Sequence, residues 1–213
     1  MIRAVVFDFG IVLSPGEGVL EDAAAMLGVP LADYEEAYWV DRLAYDAGCS
    51  DAEYWTPLLE RLGKPATPEM IQGLAALDGA AWAQLPEESR RLLRDVRATG
   101  REVAVLSNAP FNVDLAIADS DFADEADYWF ISASMGMTKP NAGVYARVAE
   151  VLEVEPGDIA FLDDRTPNVE GAQRAGWVAH LWTSPEDARA WLTEVGALSP
   201  LVFAEDAEAR AGS

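Results

Sequence analysis

Five short apolar runs, separated by stretches of helical periodicity, constrain this 213-residue chain more than any other feature. They read "AVVFDF" from residue 4, "EVAVLSN" from 102, "YWFIS" from 128, "DIAFLDD" from 158 and "WVAHLW" from 177. Apolar, partly β-branched runs alternating with helical segments build a parallel sheet covered on both faces. The expected fold class is therefore α/β, a doubly wound parallel sheet. Three of the intervening helices carry their own end signals. "PEESRRLLRDVRATG" opens on Pro86 and two acids and closes on Gly100, "KPNAGVYARVAEVLEV" has Pro140 in its first turn, and "NVEGAQRAG" stops at Gly176.

The spacing of the first two runs is irregular. Roughly ninety residues, about 14 to 101, separate them, whereas a crossover needs about a dozen. The excess predicts an insertion over residues 14–85, with a sheet domain made of 1–13 and 86–205 and a polar, Ala-rich tail at 206–213. The inserted segments, "GVLEDAAAMLG", "LADYEEAYWVDRLAYDAG", "SDAEYWTPLLERLG" and "TPEMIQGLAALDG", are helical in pattern and punctuated by glycine or proline. Tyr38, Trp39, Trp55 and Leu58 sit at spacings that suit packing between inserted helices.

Charge narrows the partners. With 15 basic and 37 acidic residues the formal net charge is −22, and the basic residues form no patch, so nucleic acid and anionic membranes are poor partners. No stretch approaches the ~20 apolar residues of a membrane span, and the N-terminus lacks a signal-peptide pattern. A cytoplasmic protein is expected. The single cysteine, Cys49, agrees with a reducing compartment. A catalytic pair of Cys49 with His180, the only histidine, has little support, because His180 sits inside the apolar run "WVAHLW". A monomer or homodimer is expected.

Ligands of doubly wound sheets bind beyond the carboxyl ends of the strands. Here the first run ends at Asp8, the second at Ser107 and Asn108, and the fourth at Asp163 and Asp164, while Lys139 opens the helix after the third. Singly, each has a plainer reading as a turn residue, a helix cap or a solvated charge. Together they supply a nucleophile, oxygen ligands for a divalent metal, and donors around a transferred oxygen, which is what phosphoryl transfer requires.

In order along the chain, "FDFGIVL", "LSNAP", "GMTKPNAGVY" and "FLDDRTPNVEGAQRAG" resemble the four motifs of the haloacid dehalogenase (HAD) superfamily of hydrolases, and the insertion stands where that family places its helical type-one cap. The resemblance implies roles residue by residue. Asp8 would be the nucleophile that forms an aspartyl-phosphate. Ser107, with Asn108, would hold the phosphoryl oxygens, and Lys139 would neutralise charge on Asp8 and phosphate. Asp164, helped by Asp163, Asp8 and the carbonyl of Gly10, would bind Mg²⁺. Asn141 stands where the family often has Asp, and still offers a helix-start acceptor. Asn168 stands where the family often has a second acid, and would lower the negative charge at the metal.

One departure bears on activity. The family's phosphatases usually carry a second Asp two residues after the nucleophile as general acid, and this chain has Gly10. A general acid contributes about 10²–10⁴ in rate, so leaving groups that need a proton should suffer most. Three readings stay open at this point. The first is a Mg²⁺-dependent phosphatase for a small phosphorylated metabolite with a better leaving group, such as a sugar 1-phosphate or an acyl phosphate. The second is a 2-haloacid dehalogenase, although the family's dehalogenases usually have Tyr at the Gly10 position and Ser-Asn in motif four. The third is a HAD-like binding or regulatory module without catalysis. Within the insertion, Arg42 and Tyr45 are the residues expected to face substrate, since a cation and a phenol can read a polar group.

Overall fold

The computed structural model describes residues 1–16 and 18–199. Five parallel strands, β1 (Ala4–Phe7), β2 (Glu102–Ser107), β3 (Tyr128–Ile131), β4 (Ile159–Asp163) and β5 (Val178–Leu181), lie in the order β3-β2-β1-β4-β5. All five apolar runs form strands, and the α/β doubly wound sheet is present. Period-two alternation divides the core. Val5, Phe7, Val103 and Val105 face α6 (Glu87–Arg97), α7 (Phe111–Ala118) and α11 (Pro185–Glu194); Ala4, Val6, Ala104 and Leu106 face α9 (Ala142–Leu152) and α10 (Thr166–Arg174). A short helix, α8 (Ser132–Met135), follows β3.

Among the described residues between β1 and α6 lie five helices: α1 (Glu21–Leu27), α2 (Leu31–Val40), α3 (Arg42–Asp46), α4 (Asp51–Arg61) and α5 (Pro68–Trp82). They enclose an apolar cluster of their own built on Tyr38, Tyr54, Trp55, Leu58 and Leu74. Their ends are locally encoded. Ser50 and Glu53 close a capping box on α4, and Thr67 caps α5 with Pro68 in its first turn.

Three local expectations change. "LADYEEAYWVDRLAYDAG" forms two helices, because the backbone leaves helical geometry at Asp41 (φ −111°) and α3 then packs against α8. Pro140 precedes the helix: α9 starts at Ala142, and its cap is Asn141, whose side chain accepts from the Gly143 N–H at 2.9 Å. Trp39, assigned to the inserted core, is 50% exposed. The tail expected at 206–213 lies outside the described residues.

Insertion and sheet domain meet closely where α5 crosses α7. A β-carbon on Gly79 would lie 2.7 Å from the Asn112 carbonyl oxygen, so only glycine permits this approach. Asn112 donates from Nδ2 to the Ala75 carbonyl at 2.7 Å and to Asp78 at 3.0 Å, tying the two helices together. No helix among the described residues is long and apolar enough to cross a membrane.

Candidate active site

Register brings the strand ends level. Phe7 pairs with Val105 on one side and Leu162 on the other, so Asp8, Ser107 and Asp163 emerge at the same edge of the sheet. Their centre is Lys139, which is 2% exposed. Its Nζ lies 2.8 Å from Asp8 Oδ1 and 2.7 Å from Asp163 Oδ2, and donates to the Leu106 carbonyl at 2.7 Å. The three protons of the ammonium thus have three oxygen partners. Burial by itself would lower this lysine's pKa, but the two carboxylates outweigh it and hold the ammonium above its ordinary value.

Asp163 is fully buried and fully engaged. Its Oδ1 accepts from the Arg165 N–H at 2.8 Å, and Asn168 Nδ2 donates to both carboxylate oxygens at 3.0 and 3.1 Å. Asp8 accepts the Phe9 N–H at 2.7 Å, and its carboxyl is pushed up to about 7, first by burial and then by Asp163, against the pull of Lys139. Burial and Asp163 also raise Asp164, which lines the cavity. Each of the three acids offers an oxygen within 4.8 Å of the others. Hard carboxylate oxygens around a space where like charges repel are a donor set that suits Mg²⁺.

A cavity of about 130 Å³ opens over this cluster, and Asp8, Gly10, Ser107, Asn108, Lys139 and Asp164 line it. Ser107 is 4% exposed, and its hydroxyl has no hydrogen-bond partner among the described residues. Asn108 is already engaged: its Nδ2 donates to the Lys139 carbonyl at 3.0 Å and its Oδ1 accepts the Lys139 N–H at 2.8 Å. The amide therefore clamps the lysine's backbone in both directions.

The insertion supplies the roof. Arg42 lines the cavity but is 6% exposed, with Nε 2.8 Å from Asp46 and Nη1 within 3.2 Å of both Asp78 oxygens and bonded to the Tyr38 hydroxyl. Tyr45 does not face the cavity. It is 1% exposed, stacks on Tyr54 with ring centroids 4.2 Å apart, and donates its hydroxyl to Asp51. The expectation of a substrate-facing phenol is corrected, because stacking between α3 and α4 turns the ring inward.

Sequence reasoning missed Trp82, Ile11 and Trp39 as cavity residues. Trp82 ends α5 beside the return to the sheet domain; its backbone carbonyl accepts the Ser14 hydroxyl at 2.8 Å and its Nε1 donates to the Tyr38 hydroxyl at 3.0 Å. Its ring lies against Gly10 and Gly16: β-carbons there would stand 3.1 and 3.0 Å from Cζ3. Ile11 has φ +68°, a conformation that costs a β-branched residue about 1–3 kcal/mol. Its one signal in sequence is its place directly after Gly10. Cys49 and His180 are apart in the fold: Cys49 packs at the edge of the inserted cluster, and His180 is 2.8 Å from Asp187 and stacks on Trp191.

Sheet order, strand-end cluster and helical insertion together define a hydrolase of HAD type. The haloacid dehalogenase-like hydrolase family matches residues 2–176, and the chain belongs to that family. Phosphatase MT3486 of Mycobacterium tuberculosis (strain CDC 1551 / Oshkosh) is 30% identical over 192 residues, covering 84% of this chain and 87% of that protein. In fold, the chain resembles the HAD family enzyme BT-2542 from Bacteroides thetaiotaomicron, with TM-score 0.72, 22% identity and coverage of 90% and 98% of the two chains; that enzyme is also solved in complex with magnesium and inorganic phosphate. It resembles L-2-haloacid dehalogenase from Xanthobacter autotrophicus too, with TM-score 0.68, 21% identity and coverage of 94% and 85%.

Proposed function

We propose that this hydrolase is a Mg²⁺-dependent phosphatase acting on a small phosphorylated metabolite through an aspartyl-phosphate on Asp8. The observation that carries the reading is the buried Lys139 between Asp8 and Asp163 at the floor of a cavity also lined by Ser107 and Asp164. Asp8 attacks phosphorus, the bond to the leaving oxygen breaks, and that oxygen departs with its electron pair. Water then attacks phosphorus and returns Asp8 as a carboxylate with release of inorganic phosphate. Lys139 keeps Asp8 ionised for attack and faces the charge of the transferred group. Ser107 donates to a phosphoryl oxygen, and Asn108 serves by fixing Lys139. Asp8, Asp164 and the Gly10 carbonyl, with Asp163 behind them, would hold Mg²⁺, which when bound offsets phosphate charge. Residues 14–85 would act as the cap that excludes water over the cavity.

A dehalogenase needs no proton donor for its leaving halide, so Gly10 alone is compatible with that chemistry too. The two adjacent acids at the end of β4 favour the metal-dependent reaction over it. Phosphate release from acetyl phosphate and other phosphorylated metabolites, with Mg²⁺ or with EDTA, is the test. Release that needs metal and disappears in Asp8→Asn supports the reading; halide release from 2-chloropropionate without phosphate release would replace it.

A further inference from the structure

We infer that the leaving group is planar and apolar and departs as a resonance-stabilised oxyanion, and that the substrate class is aryl phosphate monoesters; this rests on the phosphatase reading above. Two observations carry it independently. One concerns proton supply. The space beside Gly10, where a second acid would stand, is filled by the indole of Trp82. Among the other lining residues, Asp8 and Asp164 belong to the acidic cluster, the three protons of Lys139 are engaged by Asp8, Asp163 and the Leu106 carbonyl, and Arg42 and Arg165 are guanidinium cations that hold their protons. The leaving oxygen must therefore depart as an anion. A phenol ionises near pH ~10, whereas an aliphatic hydroxyl is comparable to water at ~15.7, so an aryl ester meets this requirement and an alkyl ester does not.

The second observation is the character of the roof. Trp39 and Trp82 of the insertion form its apolar part, Ile11 and Val113 of the sheet domain line the cavity beside them, and Trp39 is half-exposed. Among the described residues, the cation that the insertion brings to the cavity is Arg42, and it is already matched by Asp46 and Asp78, so it offers no net charge to a second anionic group. Arg165 lines the cavity but is exposed, and it forms no ion pair among the described residues. The amide groups are likewise taken, Asn108 by the backbone of Lys139 and Asn168 Nδ2 by Asp163. A polyol would leave hydroxyls against indole and branched aliphatic surface, whereas an aromatic ring stacks there.

The test has two arms. Steady-state kcat/KM is measured with Mg²⁺ for acetyl phosphate, phenyl phosphate, cyclohexyl phosphate and glucose 1-phosphate, on wild type and Trp82→Ala. Expected is a rate for phenyl phosphate at least about tenfold above both the cyclohexyl and sugar esters, and a loss in Trp82→Ala that is larger for phenyl than for acetyl phosphate. In the second arm, calorimetry on wild-type protein compares phenylphosphonate with methylphosphonate, with at least about tenfold tighter binding of the phenyl compound expected; this arm stands even if Trp82→Ala fails to fold. Acetyl phosphate turned over while glucose 1-phosphate matches or exceeds phenyl phosphate, or equal binding of the two phosphonates, would overturn the substrate class and leave the phosphatase reading intact. No phosphate released from any of the four would overturn the phosphatase reading, and this inference with it.

Discussion

The six-membered ring of Trp82 lies over Gly10, with Cζ3 3.1 Å from the point a β-carbon on that glycine would occupy. A residue of the insertion thus stands where the loop after Asp8 would otherwise carry a side chain. That loop and the end of α5 are one packing unit, held by the Ser14 to Trp82 hydrogen bond of 2.8 Å.

Gly10→Asp should therefore not simply restore a general acid. The new side chain meets the indole, and overpacking of this kind costs about 1–3 kcal/mol. Urea denaturation should show that loss, and Gly10→Asp combined with Trp82→Ala should recover most of it. In the double variant the rate for cyclohexyl phosphate should rise relative to phenyl phosphate, because a proton donor then reaches the leaving oxygen. Full additivity of the two stability changes would refute the contact.

Asn108→Asp should impair turnover more than Asn108→Ala. Aspartate places an oxygen where Nδ2 now donates to the Lys139 carbonyl, so the clamp becomes repulsive instead of absent. A fall of about tenfold or more in kcat, with KM changed less, is expected if Asn108 positions the lysine. An equal rise in KM for both variants would mark it as a phosphate ligand.

Arg42→Ala should act on stability first. The guanidinium is buried against Asp46 and Asp78, and removing it strands both acids, a change of the class that costs about 3–5 kcal/mol. Thermal melts should show a large drop in Tm. A variant with wild-type Tm and only a raised KM would show that Arg42 reads substrate.

Asp46 should give stability a measurable pH dependence. Burial, opposed by Arg42, pushes its carboxyl up to about 6 from an ordinary value of 3.8. Between these two values the folded chain keeps a proton that the unfolded chain has lost. The contribution is therefore favourable at low pH and is lost as pH rises from about 4 to about 6, by on the order of 3 kcal/mol. Denaturant midpoints across that range should fall more steeply in wild type than in Asp46→Asn; parallel profiles would contradict the assignment.

What the sequence by itself determined were the parts whose information is local. Period-two alternation and apolar runs specify β1 to β5, and a residue directly after a run must emerge at the strand's carboxyl end, so Asp8, Ser107 and Asp163 were legible as neighbours once the sheet was inferred. The excess length between the first two runs announced the inserted helices. Tertiary structure alone decided which faces those helices turn inward. Tyr45 and Trp39 have similar local patterns, yet stacking on Tyr54 buries one and the other stands half-exposed at the cavity. Asn108 and Lys139 are 31 residues apart, and Gly10 and Trp82 are farther still, so no periodicity relates them. Such pairings depend on how packed elements close on each other, where a few tenths of an ångström separate a fit from a clash. That is why the residue types pointed to the chemistry while only the folded chain showed what occupies the space beside Gly10.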